Sequence, residues 1–462
     1  MRADRKKDYA PNAKRSTLYA MSSAHVVITG LGAISPLGLT VGDMWEGLCA
    51  GRCGIGRITA FDPVGFSCKL AGEVPDFKIQ QYVPKSYRKG IKLMSRDIKL
   101  AIIAANEALT DSGLITKGID PENINIQPER VAVNLGTGLI SCDLVELAPA
   151  AAASITDGKF DIRKWGKEGL EMVTPLWLLK YLPNMLACHI GIIHDIQGPS
   201  NSITCAETSA HLAIAEAAQI IARGASDIAL AGGAEAKVNP IVMIRQCLLK
   251  RATDQNNDEP ASACRPFDAD AKGSVFGEAA GIVILENLEN AEKRSAKILA
   301  EVVGIGQSNN INPQYEHLEP DGKGIEIAIQ KAMADAQIGP EDLDLIIPHG
   351  TGIPADDLAE AKAIQTALGE AAMGTAVWPT KSMLSNTGAA SGAVDIIAAV
   401  CAMADGKIPP AKNCDTRADG CDLNISDKLQ EKKIRYALSC SYTYGGQTAA
   451  LVLKNFDGEM VN

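Results

Sequence analysis

Residues 198–224 read GPSNSITCAETSAHLAIAEAAQIIARG, and their order decides the fold. Gly198-Pro199-Ser200 is a turn signal, and residues 201–206 read as a short extended run. Apolar residues then recur at three- and four-residue steps: Ala210, Ala213, Ile214, Ala217, Ile220 and Ile221. With few polar positions between them, they predict a buried helix running to about Arg223 and stopped by Gly224. A strand feeding such a helix leaves the first helical N–H groups free, and the helix dipole adds positive potential there. That corner suits a thiolate or another anion.

Outward from the corner, short apolar runs alternate with helical stretches. Residues 25–38, HVVITGLGAISPLG, read as a buried strand ending in a Gly- and Pro-containing turn. Further strands are expected at 131–135, 228–232 and 281–285, with a helix over 95–112 among them. The theme returns at 297–305, 343–347, 434–441 and 448–453. Strands alternating with helices favour an α/β sheet architecture. The two similar rhythms meet near Glu286 without a Ser/Gly linker. They predict halves of 24–285 and 286–462 packed as one body, preceded by a loose tail over 1–23.

Composition narrows the function. The 462 residues are 46% hydrophobic and 22% charged, an ordinary globular balance that excludes disorder as the main state. Lys plus Arg number 45 and Asp plus Glu 55, giving a formal charge of −10, so nothing global favours nucleic acid or anionic lipid. The 12 cysteines are scattered, with no pair at zinc spacing, so neither metal nor disulfides are expected and a reduced, cytoplasmic setting is. The polar N-terminus has no apolar core of a signal peptide, its Arg and Lys leave an organellar transit peptide as a minor alternative that Asp4 and Asp8 weaken, and no run of about 18 apolar residues is expected to span a bilayer. Against the negative total, Lys85, Arg88, Lys89, Lys92, Arg96 and Lys99 stand beside the single acid Asp97. Such a patch is either a solvated face or a docking surface for an acidic partner.

Seven segments in order carry a resemblance to a known family: VVITGLGAISPLG, Asn184-Met185, GPSNSITCAETSAH, ACRPFDADAKGSVFGEAAGIVILE from Ala263, HGTGIPADDLAEAKAI from His349, PTKSMLSNTGAASGAVD from Pro379 and SYTYGGQTAALVL from Ser441. Together they resemble the β-ketoacyl-acyl carrier protein synthases of the thiolase superfamily, over nearly the whole chain from Ala24 to about Phe456. The resemblance implies a thiolase fold, two duplicated halves in an αβαβα five-layered sandwich, a dimer, acyl carrier protein as partner and no cofactor. In that family a Cys at the helix start takes the acyl chain, and two histidines and a lysine assist decarboxylation and condensation.

Aligned from Gly198, the nucleophile position falls on Glu207. The first histidine matches His349, the lysine matches Lys381 with Glu360 as its expected acid, and the second histidine is replaced by Asn386. Cys205 lies two residues upstream, displaced by about 7 Å at about 3.3 Å per residue, and reads as a buried small residue. Glu207 leaves three readings open: an inert filler held by helix amides, a promoter of decarboxylation as in relatives with Gln here, or a covalent acyl carrier. His349 is either an enolate-stabilising group or a structural remnant. Asn386 retains a hydrogen-bond donor, and the related initiating synthases use Cys-His-Asn. Tyr444 matches the family's gate-loop Phe before Gly445 and Gly446, with Thr443 replacing a Gly. Thr351 with these residues forms the expected substrate-binding set, and His211 is expected to be packed. Lys85, Arg88, Lys89 and Lys92 are the expected carrier-protein docking residues.

Without a Cys at position 207, the resemblance points to a chain-length-factor-like subunit paired with an active ketosynthase in fatty acid or polyketide assembly. The alternatives are an independent enzyme, namely a malonyl carrier-protein decarboxylase or an atypical acyltransferase using Glu207 and His349, and a regulatory or acyl-binding protein.

Overall fold

The computed structural model describes residues 25–309 and 318–456; the expected tail over 1–23 lies outside them. Ten strands build the main sheet: β1 (Val26–Ile34), β2 (Val131–Thr137), β3 (Ser200–Ile203), β4 (Ile228–Ala236), β5 (Glu278–Asn287), β6 (Ala300–Asn309), β7 (Leu345–Ile347), β8 (Ala376–Val377), β9 (Tyr436–Tyr442) and β10 (Gln447–Asn455). The helices that matter for the site are α1 (Arg96–Asp111), α2 (Ser209–Ala222), α3 (Lys323–Asp335), α4 (Pro354–Leu368) and α5 (Ser391–Asp405).

The strand order is β8-β7-β9-β10-β6-β1-β5-β4-β2-β3. Read outward from the centre, the first half runs β1-β5-β4-β2-β3 and the second β6-β10-β9-β7-β8, so the order repeats with each number raised by five. Directions repeat too: two antiparallel pairings, then two parallel ones, in each half. Only two residue pairs, Val27 with Glu301 and Ile28 with Ala300, join β1 to β6. Helices α2 and α5 pack on each other and on strands of both halves, forming the middle layer, while α1 and α3 lie on the outer faces. This is the thiolase fold.

The duplication reaches individual atoms. Both central strands carry a bulge, between Ile28 and Gly30 and between Val302 and Gly304. Beyond it stand Gly30 and Gly32 against α1, and Gly304 and Gly306 against α3; a Cβ there would lie 2.5, 2.0, 2.2 and 1.8 Å from a helix carbonyl oxygen, respectively. Such approaches exclude any side chain. Between each glycine pair one amide, that of Leu31 or Ile305, donates to the Oδ2 of Asp111 or Asp335 at 2.9 Å.

Among the described residues, stretch Gly388–Asp405, which contains α5, has the length and mean hydropathy of a membrane span, although Asp395 and Asp405 interrupt it. It is nevertheless 83% buried inside the protein, as a core helix of the middle layer.

Candidate functional site

The corner read from the sequence forms where β3 ends. A 3-10 turn, Ala206–Thr208, bridges to α2, and Ala206 takes φ 47°, a left-handed conformation that costs a non-glycine residue on the order of 1 kcal/mol. The Ser209 hydroxyl braces the bend, accepting from the Cys205 amide at 2.8 Å and donating to the Ala206 carbonyl at 2.7 Å. Cys205 sits before the bend, half-buried, and burial pushes its thiol up, away from a thiolate. Glu207 occupies the bend itself, 5% exposed, with its Oε2 buried and unpartnered.

Two buried cations face this carboxylate. Lys237 pairs with Glu235 at 3.0 Å, and Arg251 with Asp356 at 2.7 Å. Burial works against both charges, but Glu235 and Glu207 around Lys237, and Asp356 and Glu207 around Arg251, outweigh it and raise both pKa values. The second oxygen of Glu235 accepts from the Ala389 amide at 2.7 Å, tying this charge cluster to the loop that follows Asn386.

The second half supplies His349 at the end of β7. Its amide and that of Gly350 donate to the two oxygens of Glu360 at 2.7 and 2.8 Å, and its ring meets Tyr442 edge-on at 4.8 Å. Burial, reinforced by Lys381 and His211, holds the imidazole well below its usual pKa, so it is neutral, with Nδ1 unpartnered. Thr351, fully buried, gives its amide and hydroxyl to Asp357 Oδ1 at 2.8 and 3.1 Å.

Lys381 corrects the expectation from the sequence. Its ammonium pairs with Asp395 at 2.9 Å, not with Glu360, because α5 brings Asp395 under the turn bearing the lysine while Glu360 is engaged by backbone amides and the Cys440 thiol. Asn386 is 1% exposed, and its Oδ1 accepts from the Gly388 amide at 3.0 Å. His211 is fully buried between Ser439 and Ser441, at 2.9 Å from each hydroxyl, and burial with Lys381 nearby drops its pKa to about 3.

In the loop after β9, Thr443 binds Gln447 through its amide at 3.0 Å, and Gly446 takes the positive φ, 105°. Thr443 therefore needs no glycine-like backbone. Gly445 donates its amide to the Thr443 hydroxyl at 3.3 Å, and the Tyr444 ring lies 4.6 Å from the Arg251 guanidinium carbon. Neither Arg251 nor Lys237 is singled out from the sequence, and no local signal marks either, because their partners Asp356, Tyr444 and Glu207 are distant in sequence.

The basic segment divides. Lys85, Arg88, Lys89 and Lys92 are exposed on a 3-10 stretch, Lys85–Leu93. Arg96 forms an ion pair with buried Glu278, Lys99 is half-buried, and the lone acid Asp97 turns inward to the Ala236 amide at 2.9 Å. The outer face of this segment is therefore purely cationic. Lys85 and Arg88 also border a cleft of about 980 Å³ whose lining includes none of Glu207, His349, Lys381 or Asn386.

These features match a known family. The model of the β-ketoacyl synthase N-terminal domain matches residues 23–291, and that of the C-terminal domain matches residues 299–415. The chain belongs to the β-ketoacyl synthase family, whose members serve fatty acid and polyketide synthesis. It is 36% identical to 3-oxoacyl-[acyl-carrier-protein] synthase 2 of Vibrio cholerae, covering 94% of this chain and 100% of that protein. The Staphylococcus aureus protein of the same name is 35% identical, over 94% of this chain and 98% of its own. Among solved structures, the ishigamide ketosynthase/chain length factor matches with TM-score 0.80 and 30% identity, over 94% of this chain and 99% of that one. A type II polyketide synthase ketosynthase in complex with its acyl-carrier protein and bound to the hexaketide matches with TM-score 0.78 and 26% identity, over 94% and 100%.

Proposed function

We propose that this chain is a chain-length-factor-like subunit: a β-ketoacyl synthase relative that does not itself carry the acyl group and pairs with an active ketosynthase. One observation carries the reading. A buried carboxylate, Glu207, stands in the turn before α2, among buried cations that are themselves paired to other acids, and alignment from Gly198 gives it the family's nucleophile position. A carboxylate is a weak nucleophile toward a thioester, and the anhydride it would form is a poor store for an acyl chain. Cys205, the cysteine near Glu207 in sequence, stands before the bend with its thiol pushed up by burial, which speaks against its taking the acyl group instead.

The surface supports a partner. Strand β3 ends the sheet with Ser200 and Asn201 exposed, and large apolar side chains lie open to solvent nearby in sequence and beyond, among them Leu139, Val145, Leu176, Ile192 and Leu248. An unpaired sheet edge and exposed large apolar side chains are each features that a covering chain would bury. The cationic face of Lys85, Arg88, Lys89 and Lys92 fits an acidic carrier protein docking on the assembled pair. In this reading Tyr444, Thr351, Gly445 and Gly446 close off this chain's own pocket, and the acyl chain grows on the partner.

The test is co-expression with a cysteine-bearing synthase of the same genome, followed by size exclusion and incubation with radiolabelled acyl carrier protein. The expected outcome is a heterodimer in which the label is found on the partner alone. A homodimer of this chain that takes the label itself, or that releases carbon dioxide from malonyl carrier protein in a reaction abolished by Glu207→Ala, would favour the independent enzyme.

A further inference from the structure

Arg251 is placed where three segments meet. It follows the helix Pro240–Leu248, and its backbone is fixed on both sides: its amide donates to the Gln246 carbonyl at 3.0 Å, and its carbonyl accepts from the Ser274 amide at 2.8 Å. Its side chain, 6% exposed, crosses into the second half to pair with Asp356 in the first turn of α4 at 2.7 Å, and the Tyr444 ring stacks on its guanidinium at 4.6 Å. The loop bearing Tyr444 is pinned at its far end as well. The Gln447 carbonyl accepts from the Thr443 amide at 3.0 Å and from the hydroxyl of Thr208, the neighbour of Glu207, at 3.1 Å. The loop therefore runs from the bend at position 207 to the buried arginine.

A guanidinium here is not what stability alone would choose. Its Nη1 and the Oδ1 of Asp356 are buried without partners, and buried pairs so incompletely satisfied are often matched or bettered by apolar side chains. What the arginine adds is position: a flat cation joined to one half by an ion pair and to the gate loop by its π face. We propose that Arg251 is a positioning residue that latches the Tyr444 loop across the site, so that an acyl chain is kept out whatever residue stands at position 207. The proposal rests on the reading that this chain is not acylated, and it adds a second, separable bar to acylation.

The full chain carrying Glu207→Cys provides the test, with modification at position 207 followed by peptide mass spectrometry. Two thiol reagents are compared, the small methyl methanethiosulfonate and the long-chain N-dodecylmaleimide; the ratio of their rates cancels differences in thiol ionisation. The long-chain reagent should react poorly in this variant. Adding Arg251→Leu, or in a separate protein Tyr444→Ala, should raise the long-to-small ratio about tenfold, the scale of one cation–π contact in a desolvated site. The Tyr444 variant leaves the buried ion pair intact, so it gives the answer if the arginine variant folds poorly. An unchanged ratio in both would overturn the latch, whereas acylation of the unaltered chain by acyl carrier protein would overturn the silent-subunit reading instead.

Discussion

The two corners of the site are built on the same plan and held in opposite ways. In the second half, Glu360 and Asp357 of α4 turn their carboxylates onto the amides of His349, Gly350, Thr351 and Gly352, so the chain around the histidine is clamped by its own helix. In the first half, Glu207 has a buried oxygen with no partner, and the cations beside it are committed to Glu235 and Asp356. One corner is fixed from within; the other is filled by a side chain that its surroundings tolerate. On the proposed reading, the scaffold of the β-ketoacyl synthase family is kept at the clamped corner and altered at the one that holds Glu207.

This contrast can be broken most forcefully at Lys381. Replacing it by Met strands Asp395 in the core, and denaturant unfolding should show a loss of about 3–5 kcal/mol; Lys381→Met with Asp395→Leu should recover most of it. A small loss in the single variant would mean that the histidine side is no more tightly held than the other.

A pH series sharpens the comparison at His211, the residue of α2 that reaches across to β9. Its folded pKa of about 3 lies below the usual 6.5, so neutral His211 contributes stability that is intact above pH 6.5 and lost as pH falls toward 3. Glu360, raised to about 7 by burial, acts in the opposite direction, favouring the fold as pH drops from 7 toward 4.5. His211→Gln leaves the Glu360 contribution in place. On going from pH 7.5 to 5 the variant should therefore change by about 2 kcal/mol in the stabilising direction relative to the unaltered chain, read from paired urea titrations. An identical pH dependence would show that His211 is not the acid-sensitive tie between the halves.

The smallest effect is expected at the position on which the proposed function rests. Glu207→Gln should change stability by about 1 kcal/mol or less, because Lys237 and Arg251 keep their own partners. A thermal melt showing a loss as large as that at Lys381 would erase the distinction between the corners.

Much of this was readable in the chain. Hydrophobic periodicity placed α1 and α2 to within a residue or two of their ends, because both bury a broad apolar face. The two-residue strand β8 escaped notice because two residues carry no period, and β3 appeared only as extended chain because its residues are polar. Glu207, His349, Lys381 and Asn386 are read from their positions within motifs; in the fold Arg251 and Lys237 act electrostatically with both Glu207 and His349, and Lys381 acts on His349. Partnerships were harder. Glu360 and Asp395 are both acids on helices near the lysine in sequence, and which one faces it depends on how α4 and α5 pack. Arg251 was invisible for the same reason, since its role comes from Asp356 and Tyr444, each about a hundred residues or more away.

The paired glycines of β1 and β6, each with an aspartate reaching the amide between them, carry a last implication. They are one joint made twice, each seating a central strand on its outer helix through backbone contacts and an aspartate, and none of their residues belongs to the proposed site. A framework whose stiffness is independent of its chemistry can lose the chemistry and still keep its shape. That is the property required of a subunit whose task would be to stand as a wall for its neighbour.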